Sequence, residues 1–528
     1  MIRLRQVKVS LDNRDNLLKK VANLLHINES DIKEYKIIKE SIDARNKGNI
    51  LLTYEIDVLV DNEEKLLTKY GCNDIFKTPN EEFVFEITGT KKLNNRPVIV
   101  GSGPAGLFCA YLLAENGYNP LIIERGEKVE DRVKSIETFW NTGKLNVNSN
   151  VQFGEGGAGT FSDGKLNTLV KDKKFIGKKV FEIFVENGAP KEIMYLNKPH
   201  IGTDLLRQVI INMRNKIISM GGEFRYNSCM TDIEIIDNKV KSICINNNEK
   251  IICDNLILAI GHSARDTFKM LYEKGITMES KPFAVGLRIE HPQAMINQSQ
   301  YGLEYHLYLG QASYKLTYKA SNGRGVYSFC MCPGGYVVNA SSEEGHLVIN
   351  GMSNHDRNSE NANSAIVVTV GPKDFGTNPL DGIKYQRNLE QLACKLGNEK
   401  IPLQLYKDFC DNKKSTSLGS IKPITKGDYT LSNLNEVLPD YIASSIKEAI
   451  PFFDKKIKGF ARDDALLLGI ESRTSSPVKI LRDDNYISSI FGIYPIGEGA
   501  GYAGGITTSA IDGVKMAMKF AKDYKSLK

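Results

Sequence analysis

The sequence of 528 residues has one tryptophan, seven histidines and nine scattered cysteines, none of them in a CxxC pair. A disulfide framework uses an even, patterned set of cysteines and a structural zinc site uses closely spaced Cys or His pairs, so neither is indicated and no metal ligands are assigned. No apolar run approaches the roughly 20 residues that cross a bilayer. The N-terminal MIRLRQVKVS alternates charge with Ile2, Leu4, Val7 and Val9, and lacks the apolar segment and cleavage site of an export signal. A cytoplasmic protein without membrane contact is expected. Charge of one sign is scarce too: 69 Lys and Arg against 63 Asp and Glu leave +6, too mild and dispersed to indicate nucleic-acid binding by itself. What remains is a soluble globular composition, 41% hydrophobic and 25% charged, on a chain long enough for two or three domains.

The first ninety residues read as a small α+β module. Residues 2–11 form a strand, Leu17, Val21, Leu24 and Leu25 recur at helical spacing, and a further strand falls near Tyr35–Ile42. Leu52, Tyr54, Ile56, Val58 and Val60 then alternate without a break, as a half-buried strand requires. A compact antiparallel sheet of ferredoxin-like order is expected, ending near Leu93. Residues 1–50 carry eleven basic and seven acidic side chains, which fits either a solvated structural appendage or a docking module for a partner or RNA.

Val98-Ile99-Val100 then runs into Gly101-Ser102-Gly103-Pro104-Ala105-Gly106 and a helical stripe of Leu107, Phe108, Tyr111 and Leu112. In a strand–turn–helix of this kind Gly101 permits the turn, Gly103 lets backbone approach a pyrophosphate and Gly106 allows close helix–strand packing, while the helix N-terminus offers free N–H groups to phosphate. A second apolar run, Leu121-Ile122-Ile123, ends at Glu124, beside Arg125 and eighteen residues past Gly106; an acid there accepts hydrogen bonds from ribose hydroxyls and repels a 2′-phosphate. Near the C-terminus, Ile493–Ala517 repeats the pattern of strand, acid (Glu498), glycine cluster and helix. A carboxylate there suits a ribityl hydroxyl, and the helix start at Gly504-Gly505-Ile506 suits the pyrimidine end of a flavin, where negative charge develops on reduction. A nicotinamide enzyme has no need of this second half-site, so FAD is the expected cofactor.

These segments, together with LRQVIINMRNKIISMGGEFRYNS (Leu206–Ser228), CDNLILAIGHSA (Cys253–Ala264) and Gly497-Glu498, resemble FAD-binding flavoproteins of the glutathione-reductase-like superfamily, which more often have aspartate where Glu498 stands. From Arg96 onward the chain resembles, more narrowly, a group of bacterial FAD-dependent dehydrogenases. GEGGAGTFSDGKLNT (Gly154–Thr168), KPHIGTDLL, FCMCPGGYVVNASSE, VINGMSNHDRN and GIESRTSSPVKILRD (Gly469–Asp483) carry that likeness. The resemblance implies a substrate domain inserted between the two halves of the FAD domain. It also implies that the glycine-rich loop with Gly156, Gly157, Thr160 and Ser162 lies against the flavin and pyrophosphate, the alternative being a flexible surface loop of the same composition, and that Ala259 and Gly261 pack near the cofactor.

Arg473, beside Glu471 and a Ser-Ser-Pro turn, is read as a clamp for an anionic flavin or substrate group, or else as a surface ion pair. His200, His262 and His355 are candidate proton-transfer groups, His200 first because a proline and a Gly-Thr-Asp turn flank it. Cys330 and Cys332, at i and i+2, share one face of a strand; they could form a redox pair, but that placement suits a disulfide poorly and the apolar flanks favour inert core thiols. No second GxGxxG is present for a separate nicotinamide domain; NAD(P)H, if it reduces the flavin, binds transiently in the substrate cleft.

The expectation is an α/β protein with a doubly wound, Rossmann-like FAD domain (94–275 and 466–528), an inserted mixed-sheet substrate domain (276–465) and the N-terminal module (1–93). It transfers hydride between FAD and an unidentified small-molecule substrate. Two competing readings are a flavoenzyme acting on RNA and a non-catalytic FAD-binding structural or sensing protein.

Overall fold

The computed structural model describes residues 1–527 apart from 169, 171 and 305. Its N-terminal module has the order strand Ile2–Ser10, helix Leu17–Leu25, strands Ile32–Asp43 and Leu51–Val60, helix Glu63–Tyr70 and strand Ile75–Lys77. The second, third, first and fourth strands lie side by side in that order, the ferredoxin-like arrangement. The alternation of Leu52, Tyr54, Ile56, Val58 and Val60 is expressed directly: all five are buried. The module is anchored to the rest of the chain. Glu40 pairs through its backbone with Tyr195 and Asn197, and the Arg14 guanidinium sits over Tyr308.

Five short parallel strands, in the order Ile493–Pro495, Leu256–Leu258, Val98–Val100, Leu121–Ile123 and Glu223–Arg225, form the dinucleotide-type sheet. Period-2 alternation divides their side chains between two cores. Ile99, Ile122 and Ile257 face helices Pro104–Glu115, Thr203–Ser219 and Ile506–Asp523; Val98, Val100, Leu121 and Ile123 face an antiparallel layer that includes Met230–Ile236 and Lys239–Ile245. The first and last of those helices pack tightly because Gly513 leaves room: a Cβ there would lie 2.1 Å from the Ala105 carbonyl oxygen.

The inserted region is built on a seven-stranded mixed sheet in the order Thr317–Lys319, Gly325–Cys332, Asn361–Val370, Phe283–Pro292, Leu466–Glu471, Ile401–Leu405, Tyr429–Leu431. Leu466–Glu471 is thus a strand of this sheet, and the chain returns to the dinucleotide unit only after Glu471. Helices Asp381–Gly397 and Asp440–Asp454 cover it with an apolar core from Leu389 to Phe453.

Candidate functional site

One cavity of about 380 Å³ joins the two large units, a size typical of ligand sites. It begins at the glycine loop. Gly101, at φ +103°, has no room for a side chain, since a Cβ would meet the Ala259 carbonyl oxygen at 2.2 Å. Gly103 precedes the helix that starts with Pro104, and its Cα faces that of Gly157, so that backbone from two segments lies at the same point of the wall. Glu124 closes this end. Its carboxylate accepts from the Ser102 N–H (2.9 Å) and hydroxyl (2.7 Å) and from the Gly126 (3.0 Å) and Gly154 (3.1 Å) N–H groups. Four donors on one carboxylate tie the first turn, the second strand and the glycine-rich loop together.

That loop is held from behind by Arg132, wholly buried in helix Val129–Thr142. Its guanidinium donates to the carbonyls of Asn150, Val151, Gly154, Glu155 and Gly157 at 2.7–3.3 Å. Burial without a directly paired carboxylate draws its pKa down to about 9. Glu155, also buried, accepts from the Val129 N–H, Arg214 and the Tyr226 hydroxyl. The loop is therefore a fixed wall rather than a free surface segment.

Of the residues singled out from sequence, Gly101, Gly103, Pro104, Ala105, Glu124, Arg125, Gly157, Ser162 and Gly261 line the cavity, as do Arg473, Glu498, Gly504, Gly505 and Ile506. Six do not. Ser102 lies under the turn and holds Glu124. Gly106 serves packing, with a Cβ position 1.9 Å from the Gly101 oxygen. Gly156 abuts Thr160, whose buried hydroxyl has no hydrogen-bond partner among the described residues. The Gly497 N–H is committed to Asp512 at 2.7 Å. His200 stacks on His355 and bonds that residue's carbonyl through Nε2 at 2.9 Å; burial, with Arg357 nearby, pulls its pKa down to about 4, so it is neutral at pH 7.

Arg473 is buried, not on the surface, and its donors are engaged. It pairs with both oxygens of Glu390 (2.9 and 2.7 Å) and donates to Ser342 and Ser263. Arg265 holds the same two oxygens from the other side. His262, which lines the cavity next to this cluster, is pulled down to about 3 by burial and by Arg473 and Arg265. Two carboxyls behave in the opposite sense. Burial raises Glu498 to about 7, against the pull of Lys281, and raises Glu471 to about 7, against its 3.0 Å pair with Arg288.

Arg132, Glu390 and Arg288 were not picked out from sequence, because a lone charge in an amphipathic element carries no mark of a partner far along the chain. Cys330 was read as core, yet it lines the cavity together with Phe329, Asn350 and Lys165.

The residues fit FAD: a glycine-walled cleft with an acid at the end of the second strand, continuing to a second glycine cluster where a Cβ on Gly504 or Gly505 would meet no atom within 4 Å. Removing the Glu124 carboxylate leaves four donors without their acceptor. Glu124→Ala is expected to weaken FAD retention by about 1–3 kcal/mol, read as the flavin fraction surviving gel filtration; unchanged retention would contradict the assignment.

Parts of the chain are similar to known proteins. Residues 282–474 match the model described as FAD-dependent protein, C-terminal domain-like, residues 99–154 match an NAD(P)-binding Rossmann-like domain, and residues 1–59 match a domain of unknown function. A Clostridium beijerinckii protein, described as uncharacterised, is 49% identical over 98% of both chains. A Haemophilus influenzae ribosomal RNA dihydrouridine synthase is 24% identical over 175 residues, 31% of this chain and 39% of that protein. Among solved structures, the E. coli quinol fumarate reductase FrdA superposes with TM-score 0.36 at 12% identity over 82% of this chain and 70% of that one. The halogenase PltM in complex with phloroglucinol and FAD gives 0.38 at 11% over 80% and 68%.

Proposed function

Since the chain belongs to the family of bacterial FAD-dependent proteins that includes its Clostridium beijerinckii relative, we propose that it is an oxidoreductase moving hydride between FAD and an organic substrate. The carrying observation is the make-up of the cavity wall. There the inserted region supplies Phe329, Cys330, Asn350 and Glu471 to a lining that also holds the second glycine cluster, while Asn167, Gly504 and Gly505 are exposed and keep the cavity in contact with solvent. A wall of polar and titratable groups that solvent reaches suits a substrate better than a sealed structural cofactor.

Bound FAD supplies the two-electron chemistry that the side chains lack. The protein's part is placement and proton holding. Glu498, poised near neutral pH, can hold or release a proton in the cavity at physiological pH, where an ordinary glutamate is ionised. His200, outside the lining and neutral, is a positioning contact to His355 under this reading. Arg473 acts on the reaction through Glu390 and Ser342 rather than as a free clamp.

The test is the visible spectrum of the purified protein during anaerobic addition of NADH and then NADPH. Bleaching of the flavin band by one donor is expected; a bound flavin that stays oxidised with both would refute nicotinamide-driven reduction. The partial likeness to the ribosomal RNA dihydrouridine synthase supports a second reading, reduction of an RNA base. It requires that RNA bind with a salt-dependent affinity and reoxidise the reduced protein.

A further inference from the structure

In a regular strand Cys330 and Cys332 would have their Cβ atoms roughly 6.6 Å apart, two residues' rise, against the ~3.8 Å of a disulfide. This strand is not regular there. The register between Gly325–Cys332 and Asn361–Val370 slips between Phe329 and Cys332, and Cys330 has φ +44°, in the left-handed region. A bulge of that kind breaks the two-residue alternation and bends the strand. Cys330 consequently lines the cavity and is partly accessible, while Cys332 is fully buried. The Cys332 thiol donates to the Cys330 carbonyl oxygen at 3.3 Å.

The surroundings hold this arrangement. Arg288, fully buried, donates to the Cys330 carbonyl at 2.5 Å, to Asn363 at 2.9 Å and to Glu471 at 3.0 Å, and its Nη2 lies 3.9 Å from the Cys332 sulfur. Gly351 allows this approach, because a Cβ there would meet the Arg288 guanidinium at 2.3 Å. Glu498, Glu471 and Lys165 line the same cavity.

We propose that Cys330 and Cys332 form a dithiol–disulfide pair that exchanges two electrons with FAD held in the adjoining cavity. The proposal rests on the proposed function, in which FAD held in this cavity carries the two-electron chemistry. In the oxidising direction the two S–H bonds break and one S–S bond forms; two electrons and one proton pass to oxidised flavin, and the second proton passes to the Glu498 carboxylate. In the reverse direction the S–S bond opens and the two sulfurs take back two electrons and two protons. The pair is asymmetric in the way thiol–disulfide exchange needs. The neighbouring Cys332 thiol, with Lys165 and Arg288 nearby, holds the Cys330 thiol below its ordinary pKa, whereas the Cys330 sulfur and burial push Cys332 up. Cys330 is then the accessible nucleophile and Cys332 the protonated partner.

The experiment is an anaerobic dithionite titration of the holoprotein after treatment with the thiol oxidant diamide and its removal, alongside mass spectrometry of the tryptic peptide Gly325–Arg357, which holds both cysteines. Wild type is expected to take up about four electrons per FAD, two for the flavin and two for the disulfide. Its peptide should be lighter by two hydrogens and refractory to iodoacetamide until reduced. Cys330→Ser and Cys332→Ser should each take up about two electrons. Uptake of two electrons by wild type with FAD bound, and a peptide that alkylates at both cysteines, would overturn the pair. If the protein retained no flavin, the cofactor reading would fail separately, and the peptide measurement on the FAD-free chain would still decide the pair.

Discussion

Glu390→Gln is expected to cost about 3–5 kcal/mol of stability, the range for breaking a buried ion pair by removing one partner. Glu390 is wholly buried and is gripped by Arg265 of the dinucleotide unit and by Arg473 and Ser472, which follow the last strand of the inserted sheet. A neutral amide of the same shape leaves two guanidinium groups facing each other across a dry junction. Urea unfolding at pH 7 measures the loss, and a change below about 1 kcal/mol would show that water or Glu343 takes over. The two arginines also hold the Glu390 pKa below the ordinary glutamate value. The sign follows: the unfolded chain takes up a proton at the ordinary value and the folded chain only at lower pH, so this stabilisation is complete at neutral pH and is lost as pH falls below the ordinary value. The variant should lack that part of the acid-side decline.

Arg132→Met is the second large effect, expected to exceed about 3 kcal/mol because several buried carbonyls lose their only charged donor and each unmet group costs about 1–3 kcal/mol before relaxation. Methionine fills much of the volume and restores the contact with Phe161, which lies 4.8 Å from the guanidinium carbon. The damage should therefore concentrate in residues 150–157. Faster proteolysis in that segment, together with loss of FAD on gel filtration, is the expected signature; full FAD retention with normal protease resistance would show that the loop holds its shape through Glu124 and Glu155 alone.

Legibility differed sharply between neighbouring parts of the site. The turn at Gly101–Gly106 and the acid at Glu124 could be read directly, because strand, turn, helix and next strand follow one another within thirty residues and each imposes a local constraint on residue type. The alternation from Leu52 to Val60 was readable for the same reason. His200 was favoured for its flanking Pro and Gly, but its ring bonds the His355 carbonyl and lies outside the cavity lining. Cys330 was misplaced because an i, i+2 pattern presumes an unbroken strand, and the bulge is set by pairing with Asn361–Val370, a segment some thirty residues on.

Chain-local chemistry therefore settled the cofactor class, the ferredoxin-like start and the α/β architecture, since backbone conformation and hydrophobic periodicity act over a few residues. The partners of buried charges were settled by folding alone. Arg132 against its five carbonyls, Glu390 between two arginines, and Arg288 beneath the cysteines each join segments separated by eighteen to 183 residues. An isolated arginine or glutamate looks the same in sequence whether it ends in water or in a core. What distinguishes them is the cost of desolvation, and that cost exists only once the rest of the molecule has closed around the charge.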